Sequence, residues 1–423
     1  IKNRILYLIN LLIQKKNMNI LKNYKFSFIL IFGMIVGSII GVVFGEKAVV
    51  LQPIADIFLN LLYCCVVPMI FVSLVYSIAN MENTSKIGKV LFIMILIFIV
   101  TETLAAIYML VITIIFNPAE GVDIAMNETI SNITSNSNIL GMFTVNDFPL
   151  LWSRQNLMAL IVFAIIVGIA VVKSGEAGKP VVNLFASLTT IISKVVSYVM
   201  YIAPIGLGAF FASLVGTNGS AISGPLSRAL IIYFIAAAIF YFASNTIFAY
   251  LSAGMNGVKL FWKYIIPPSL VSLGTCSSAA TIPTNLIAGK KIGIPDDIND
   301  LTIPMGCNLH KAGATLITIL KITFMCSMFN VNILEPQNMI TAIIVSVLAS
   351  SVMGAIPAGG YVGEIFIISA FNFPPEAIPI MVLIGTITDA PATTINATND
   401  VGAGMLLSRI LKGKNWMVKP AAE

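Results

Sequence analysis

The stretch Asp389-Ala-Pro-Ala-Thr-Thr-Ile-Asn-Ala-Thr-Asn-Asp400 sets a row of polar side chains inside an otherwise apolar segment. At 3.6 residues per turn, the positions four, seven and eleven beyond Asp389 fall roughly 40°, −20° and 20° around the helix axis. Asp389, Thr393, Asn396 and Asp400 therefore form one narrow stripe, with Ala392 at its edge. Such a stripe does not face lipid. A carboxylate at mid-bilayer costs about 2.5–3.5 kcal/mol even on lenient insertion scales, so it must face a cavity, a bound cation or a basic partner. The pattern points to a solute or ion site within a membrane.

Composition agrees. Of 423 residues, 58% are hydrophobic and only 10% charged, whereas a soluble domain carries about 25% charged residues. The chain is long enough for about eight spans with their connections. Its net charge of +6 does not mark a nucleic-acid binder, because the basic residues are scattered at the ends of apolar runs. That scatter is topology signal. Cys64, Cys65, Cys276, Cys307 and Cys326 all lie in membrane segments, so no disulfide framework is expected. Lys2 to Lys25 holds no small-residue cleavage site after a short apolar core, so no cleavable signal peptide is expected. The chain opens on Ile1, and a few preceding residues are expected.

Apolar runs long enough to span lie near 26–45, 54–80, 90–116, 156–173, 185–214 and 226–253. The first carries Gly33, Gly37, Gly41 and Gly45, a small residue at every fourth position, which reads as close helix packing. Lysines such as Lys86, Lys89, Lys173, Lys179, Lys259, Lys263, Lys412 and Lys414 sit at alternate ends of the runs, while the 117–150 loop has a surplus of Asn, Ser and Thr. The positive-inside rule then predicts a multi-pass protein of the cell's inner (plasma) membrane, with both termini cytoplasmic and that loop outside.

After residue 255 the pattern changes. Segments 256–292 and 336–372 are apolar but broken at their centres, by Gly274-Thr-Cys-Ser-Ser-Ala-Ala-Thr-Ile-Pro283 and Gly354-Ala-Ile-Pro-Ala-Gly-Gly360. Such breaks read as re-entrant hairpins, since unsatisfied backbone at that depth is tolerated only where it lines a cavity. Two longer spans follow, about 297–329 and 375–411; the first is interrupted near Pro304–Gly313. Hairpin then broken helix, followed by hairpin then polar helix, is a two-fold repeat, and paired breaks point to a transporter binding site.

Ser277-Ser-Ala-Ala-Thr-Ile-Pro-Thr-Asn285, Ile303-Pro-Met-Gly306, Gly354–Gly360 and the Asp389…Asn396…Asp400 spacing resemble the glutamate transporter, or sodium:dicarboxylate symporter, family. Within it, Ser-Ser-Ala-Ala and Ala312-Gly-Ala314 look most like bacterial serine/threonine:sodium symporters. The resemblance implies an all-α membrane protein of eight transmembrane helices plus two re-entrant helical hairpins, assembled as a homotrimer and working as an elevator. Residues 1–25 would be a basic cytoplasmic segment and 412–423 a cytoplasmic tail. Residues 26–253 would hold spans 1–6, with spans 1, 2, 4 and 5 as scaffold and spans 3 and 6 moving with the transport core of 256–411.

The resemblance also assigns residues. Asp389 would bind a substrate ammonium. Asn396, the Ser277–Ser278 tip and the second hairpin's backbone at Ala358 and Gly359 would hold the α-carboxylate, beside Ala314, Ala392 and Thr393. Aligned N–H groups at half-helix N-termini suit a carboxylate. Asp400 with backbone oxygens of Gly306, His310 and Asn396 would hold one sodium ion, and backbone near Met353 and the 307–310 break a second. Oxygen-only ligation suits a hard cation. No cofactor is expected beyond the transported cation, sodium or a proton, and membrane lipid and the solute are the expected partners.

Two departures shape the expected substrate and coupling. Acidic-substrate members carry an Arg where this chain has Cys276 or Ala392, so a small neutral amino acid such as serine, threonine or alanine is expected. The alternative is a proton- or sodium-coupled symporter of an acidic amino acid or C4-dicarboxylate, with Lys311 or another cation in place of the Arg. The family's Asn-Met-Asp-Gly-Thr is His310-Lys-Ala-Gly-Ala314 here, its span-8 neighbour is Gly385, and span 3 carries Glu102. Lys311 is expected either to pair with Glu102 structurally or to act as a tethered ammonium or proton carrier. His310 is expected as a backbone-oxygen donor, with a titrating side chain as the alternative, and Lys321 and Glu364 near water-facing ends. A channel ranks lower, because two mid-membrane hairpins suit occlusion. An enzyme is not expected: there is no H-E-x-x-H, G-x-S-x-G or phosphate loop.

Overall fold

A computed structural model describes residues 29–79, 85–120, 144–153, 156–218, 223–355, 360–374 and 377–417, and among these there is no strand. Helix α1 (29–44) carries the glycine row, and the row does what its spacing implies. Gly33, Gly37 and Gly41 lie against the backbone of Pro204, Gly208 and Ala212 on a later helix, and a Cβ at Gly37 would overlap the Gly208 carbonyl. Two backbones touch there with no side chain between them.

Next come α2 (Gln52–Ala79), α3 (Ser85–Ile115) and α4 (Leu157–Lys173). The run 185–214, expected as one span, is two helices: α5 (Lys179–Tyr201) and α6 (Ala203–Asn218). The break falls at Ile202, just before Pro204. Proline lacks an N–H and fits the first turn of a helix, where no intrahelical acceptor is available, better than a helix interior. Helix α2 packs on α4, α5 and α6.

Helix α7 (Ser223–Tyr264) joins the sixth span to the rising arm of the first hairpin through a kink at Ala253 and Gly254, the latter at φ 61°. The arm continues as α8 (Ile266–Thr275), turns at Cys276 and returns as α9 (Ser278–Ile292). The broken span is α10 (Asp296–Leu309) and α11 (Ala312–Met328), separated at His310 and Lys311. The second hairpin is α12 (Pro336–Ala355) and α13 (Gly360–Phe371). Its tip, with Ala358 and Gly359, lies outside the described residues. Helix α14 (Ala377–Lys412) closes the fold.

Six stretches are long and apolar enough to cross a membrane, among them Ile29–Leu61, Gly224–Tyr264, Asp296–Met328 and Ala377–Lys412. Ala159–Lys173 and Ala203–Thr217 are apolar but shorter. The spans that carry the broken helix and the polar stripe are the most enclosed: 89% of the Asp296–Met328 window and 61% of the Ala377–Lys412 window are buried, against 6% for Gly175–Val199. Polar residues inside a bilayer face the bundle interior, and lipid receives the apolar surfaces. Helix α14 is the hub of that interior, touching α3 and each helix from α7 to α11, and also α13. Asn285 Nδ2 on α9 donates to the Ala397 carbonyl at 2.7 Å, and Asn245 Nδ2 on α7 donates to Thr398 Oγ1 at 3.1 Å.

Candidate substrate and ion site

The stripe of α14 is a physical face. Asp389 is exposed, whereas Thr393, Asn396 and Asp400 are buried. Thr393 Oγ1 donates to Asp389 Oδ1 at 3.1 Å, which fixes the carboxylate along the helix. Its open side is available to a cationic group.

The first hairpin's tip is built by its sequence. Helix α8 ends in Cys276 at φ 49°, in the left-handed region, and the chain re-enters helix at once. Ser277 is the N-cap of α9, its Oγ accepting from the Ala280 N–H at 3.2 Å. The N-terminus of α9 thus points its first N–H groups, with Ser278, at the stripe's neighbourhood. Partial positive charge at such a terminus favours an anion.

Asn396 has a different partner from the one expected first. Its Oδ1 accepts from the backbone N–H of Gly313 at 2.8 Å and of Ala314 at 3.3 Å, so it caps the start of α11. The Asn396 amide nitrogen is then the group that can donate to a carboxylate. A Cβ at Gly313 would collide with the Ala392 carbonyl, so α11 and α14 meet at backbone distance here. Ala392 is only 2% exposed.

The Glu102–Lys311 pair takes a form that charge alone did not indicate. The Glu102 carboxylate accepts the backbone N–H of Lys311 at 2.6 Å, so Glu102 on α3 satisfies the interrupted chain between α10 and α11. A broken helix exposes N–H groups that need acceptors. Ser350 Oγ on α12 lies 3.5 Å from Glu102 and 2.9 Å from Thr315 Oγ1, tying in the second hairpin. The Lys311 ammonium runs the other way and donates to Ser278 Oγ at 3.2 Å, at the first hairpin's tip.

Asp400 is 1% exposed and rests against Gly306, where a Cβ would fall on its carboxylate. His310 Nδ1 lies 3.1 Å from Asp400 Oδ1, and the imidazole stacks on Phe98 at 4.5 Å between ring centres. Beyond its carbonyl, the residue thus places its ring on the Asp400 carboxylate. The Gly306 carbonyl accepts the His310 N–H at 2.9 Å at the same break. Met353 lies in the last turn of α12.

Lys321 and Glu364, expected near water, are buried at 3% and 2% exposure and bonded to each other, α11 to α13. Gly385, one turn before Asp389 on α14, makes the space: a Cβ there would lie 2.8 Å from Lys321 Nζ. The available signal was a second lysine in span 7, one anion in hairpin 2 and a glycine on the stripe near both.

Comparison with known proteins agrees with this architecture. The sodium:dicarboxylate symporter family matches residues 26–410. A proton/sodium-glutamate symport protein of Bacillus subtilis is 29% identical, covering 89% of this chain and 90% of its own length. A C4-dicarboxylate transport protein of the same organism is 25% identical over 90% of this chain and 92% of its own. Its proton/glutamate-aspartate symporter is 24% identical over 92% and 97%.

Proposed function

The chain belongs to the sodium:dicarboxylate symporter family, and from that premise we propose that it is a symporter of an acidic amino acid, glutamate or aspartate, driven by a sodium or proton gradient. The observation that carries this reading is the Lys311 ammonium at the Ser278 hydroxyl. An acidic amino acid offers one ammonium and two carboxylates. Asp389 suits the ammonium. The α9 N-terminus with the Asn396 amide suits one carboxylate, and Lys311 suits the other. The expectation of a neutral amino acid came from Cys276 and Ala392, which leave the site without an Arg from hairpin 1 or span 8. A cation arriving from α11 removes its basis, and the named relatives carry glutamate, aspartate or C4-dicarboxylates. A C4-dicarboxylate fits less well, since it has no ammonium to meet Asp389.

Within this reading, Asp400 and the carbonyls of Gly306, His310 and Asn396 hold a sodium ion, with a second near Met353 and the break. Residues 256–411 with spans 3 and 6 move as one body against spans 1, 2, 4 and 5, and Ala358–Gly359 closes over the solute. The protein works as a homotrimer in the plasma membrane, both termini cytoplasmic. Each net charge carried inward adds about 2.3 kcal/mol per 100 mV, enough to concentrate an anion. Purified protein in proteoliposomes, given labelled glutamate, aspartate, succinate and serine with sodium and pH gradients imposed separately, tests the proposal. Serine displacing glutamate would overturn the substrate class, and uptake that persists with no cation gradient would overturn symport.

A further inference from the structure

The Lys321–Glu364 pair is the most enclosed lysine–carboxylate pair among the described residues. Its two side chains come from the two repeats, α11 and α13, and Gly385 on α14 leaves the room they need. Glu364 Oε1 takes the ammonium, while Glu364 Oε2 is buried with no hydrogen-bond partner among the described residues. A carboxylate oxygen in a dry interior with nothing donating to it is costly. We propose that Glu364 Oε2 is the seat of a co-transported proton, with Lys321 as the fixed ammonium that holds Oε1.

The site suits a proton and no larger cation. A sodium ion needs several oxygens around it, whereas here Oε1 is committed to an ammonium, which would also repel a metal ion. A proton needs one lone pair. In the loaded form a proton from external water forms an O–H bond at Oε2, and Oε1 continues to accept from Lys321. In the unloaded form that proton has passed to cytoplasmic water and the pair is zwitterionic. One positive charge moves with the solute, and no electron is transferred. The other charged residues on the helices packed against α11 and α13 are Asp389, Asp400, Arg409 and Lys412 on α14, Lys86, Lys89 and Glu102 on α3, Arg228, Lys259 and Lys263 on α7, Lys173 on α4 and Asp56 on α2, while α12 carries none. Asp389 sits one turn beyond Gly385, so the charge state of the pair is sensed at the solute's ammonium site. This inference rests on the symport reading but not on the identity of the solute.

The test uses full-length protein in proteoliposomes with the membrane potential clamped, sodium equal on both sides, and an imposed inward pH gradient. L-glutamate and L-serine are assayed in parallel, so that a wrong substrate class shows as serine accumulation and leaves the proton result readable. A one-unit gradient supports about tenfold accumulation per proton. Wild type is expected to reach it. Lys321→Met/Glu364→Gln removes both charges together, leaving no buried charge unpaired; it is expected to keep solute exchange across the membrane and to lose accumulation. Accumulation by this double variant at the wild-type level, or none by wild type with either solute, overturns the proposal. Should the double variant not assemble, Glu364→Asp keeps a carboxyl but withdraws it from Lys321. A changed pH profile of uptake is then expected, and a profile identical to wild type overturns the proposal.

Discussion

Lys311 contacts two different parts of the molecule with its two nitrogens: the backbone N–H reaches Glu102 at 2.6 Å, and Nζ reaches Ser278 Oγ at 3.2 Å. One residue thus anchors the chain break to α3 and delivers a cation to the hairpin tip. The first contact fixes the geometry from which the second is made. Predictions about substrate choice and about stability therefore separate at this residue.

Lys311→Met is expected to spare the Glu102 contact, which involves only backbone, and to remove the cation. A charge-assisted hydrogen bond contributes about 1.5–3 kcal/mol, so competition by glutamate against serine should fall roughly 10- to 150-fold. Melting of the purified protein should change little. An unchanged glutamate-to-serine ratio would move side-chain recognition away from α11.

Asp389→Asn removes the charged partner of the substrate ammonium. Breaking an enclosed charge pair costs about 3–5 kcal/mol, so binding of any amino acid should fall below detection in calorimetry or scintillation proximity. Succinate, which has no ammonium, should lose nothing. Equal losses for succinate and glutamate would show Asp389 acting on the fold and not on the ammonium.

Gly306→Ala places a methyl group on the Asp400 carboxylate. The expected result is uptake that no longer responds to sodium, with secondary structure by circular dichroism intact. Sodium dependence at the wild-type concentration range in this variant would place the ion elsewhere.

Gly313→Ala drives a methyl into the Ala392 carbonyl and parts α11 from α14. Overpacking costs about 1–3 kcal/mol, and here it also lengthens the Gly313 N–H bond to Asn396. We expect a lower melting temperature together with weaker solute binding. Gly224→Ala is the control, since a Cβ there meets nothing within 4 Å. Equal melting temperatures for the two variants would remove the close contact from the account.

The arrangement of helices was largely legible because mid-segment Gly, Pro and Ser clusters in a bilayer admit few readings. The stripe Asp389–Asp400 follows from spacing alone, and so does the close approach of α1 through Gly33, Gly37 and Gly41. What the sequence concealed is direction. Lys311 and Glu102 are opposite charges on neighbouring spans, and an ion pair was the natural reading; only the broken backbone at 310–311 makes the N–H the stronger claimant on the carboxylate. Lys321 and Glu364 were hidden for a related reason. Each is a single charge in an apolar run, and their proximity depends on how the second hairpin lies on α11, which periodicity within either segment does not report. The split of 185–214 at Ile202 escaped because Pro204 sits in a continuous apolar run whose hydropathy does not register a break.

Helix α14 supplies the face against which α3, the broken span and the returning arms of both hairpins come to rest, and it follows all of them along the chain. A ribosome delivers it after every helix that depends on it. Until then Glu102, Lys311 and the hairpin tips have been synthesised without the surface that buries them, so the insertion machinery must shelter an unfinished interior. Trp416, whose indole N–H donates to the Ser252 carbonyl at 2.9 Å, fastens the end of the chain beside the α7 kink. A nascent chain cut short before α14 would display those charges to the membrane, giving a quality-control protease a ready mark of incompleteness.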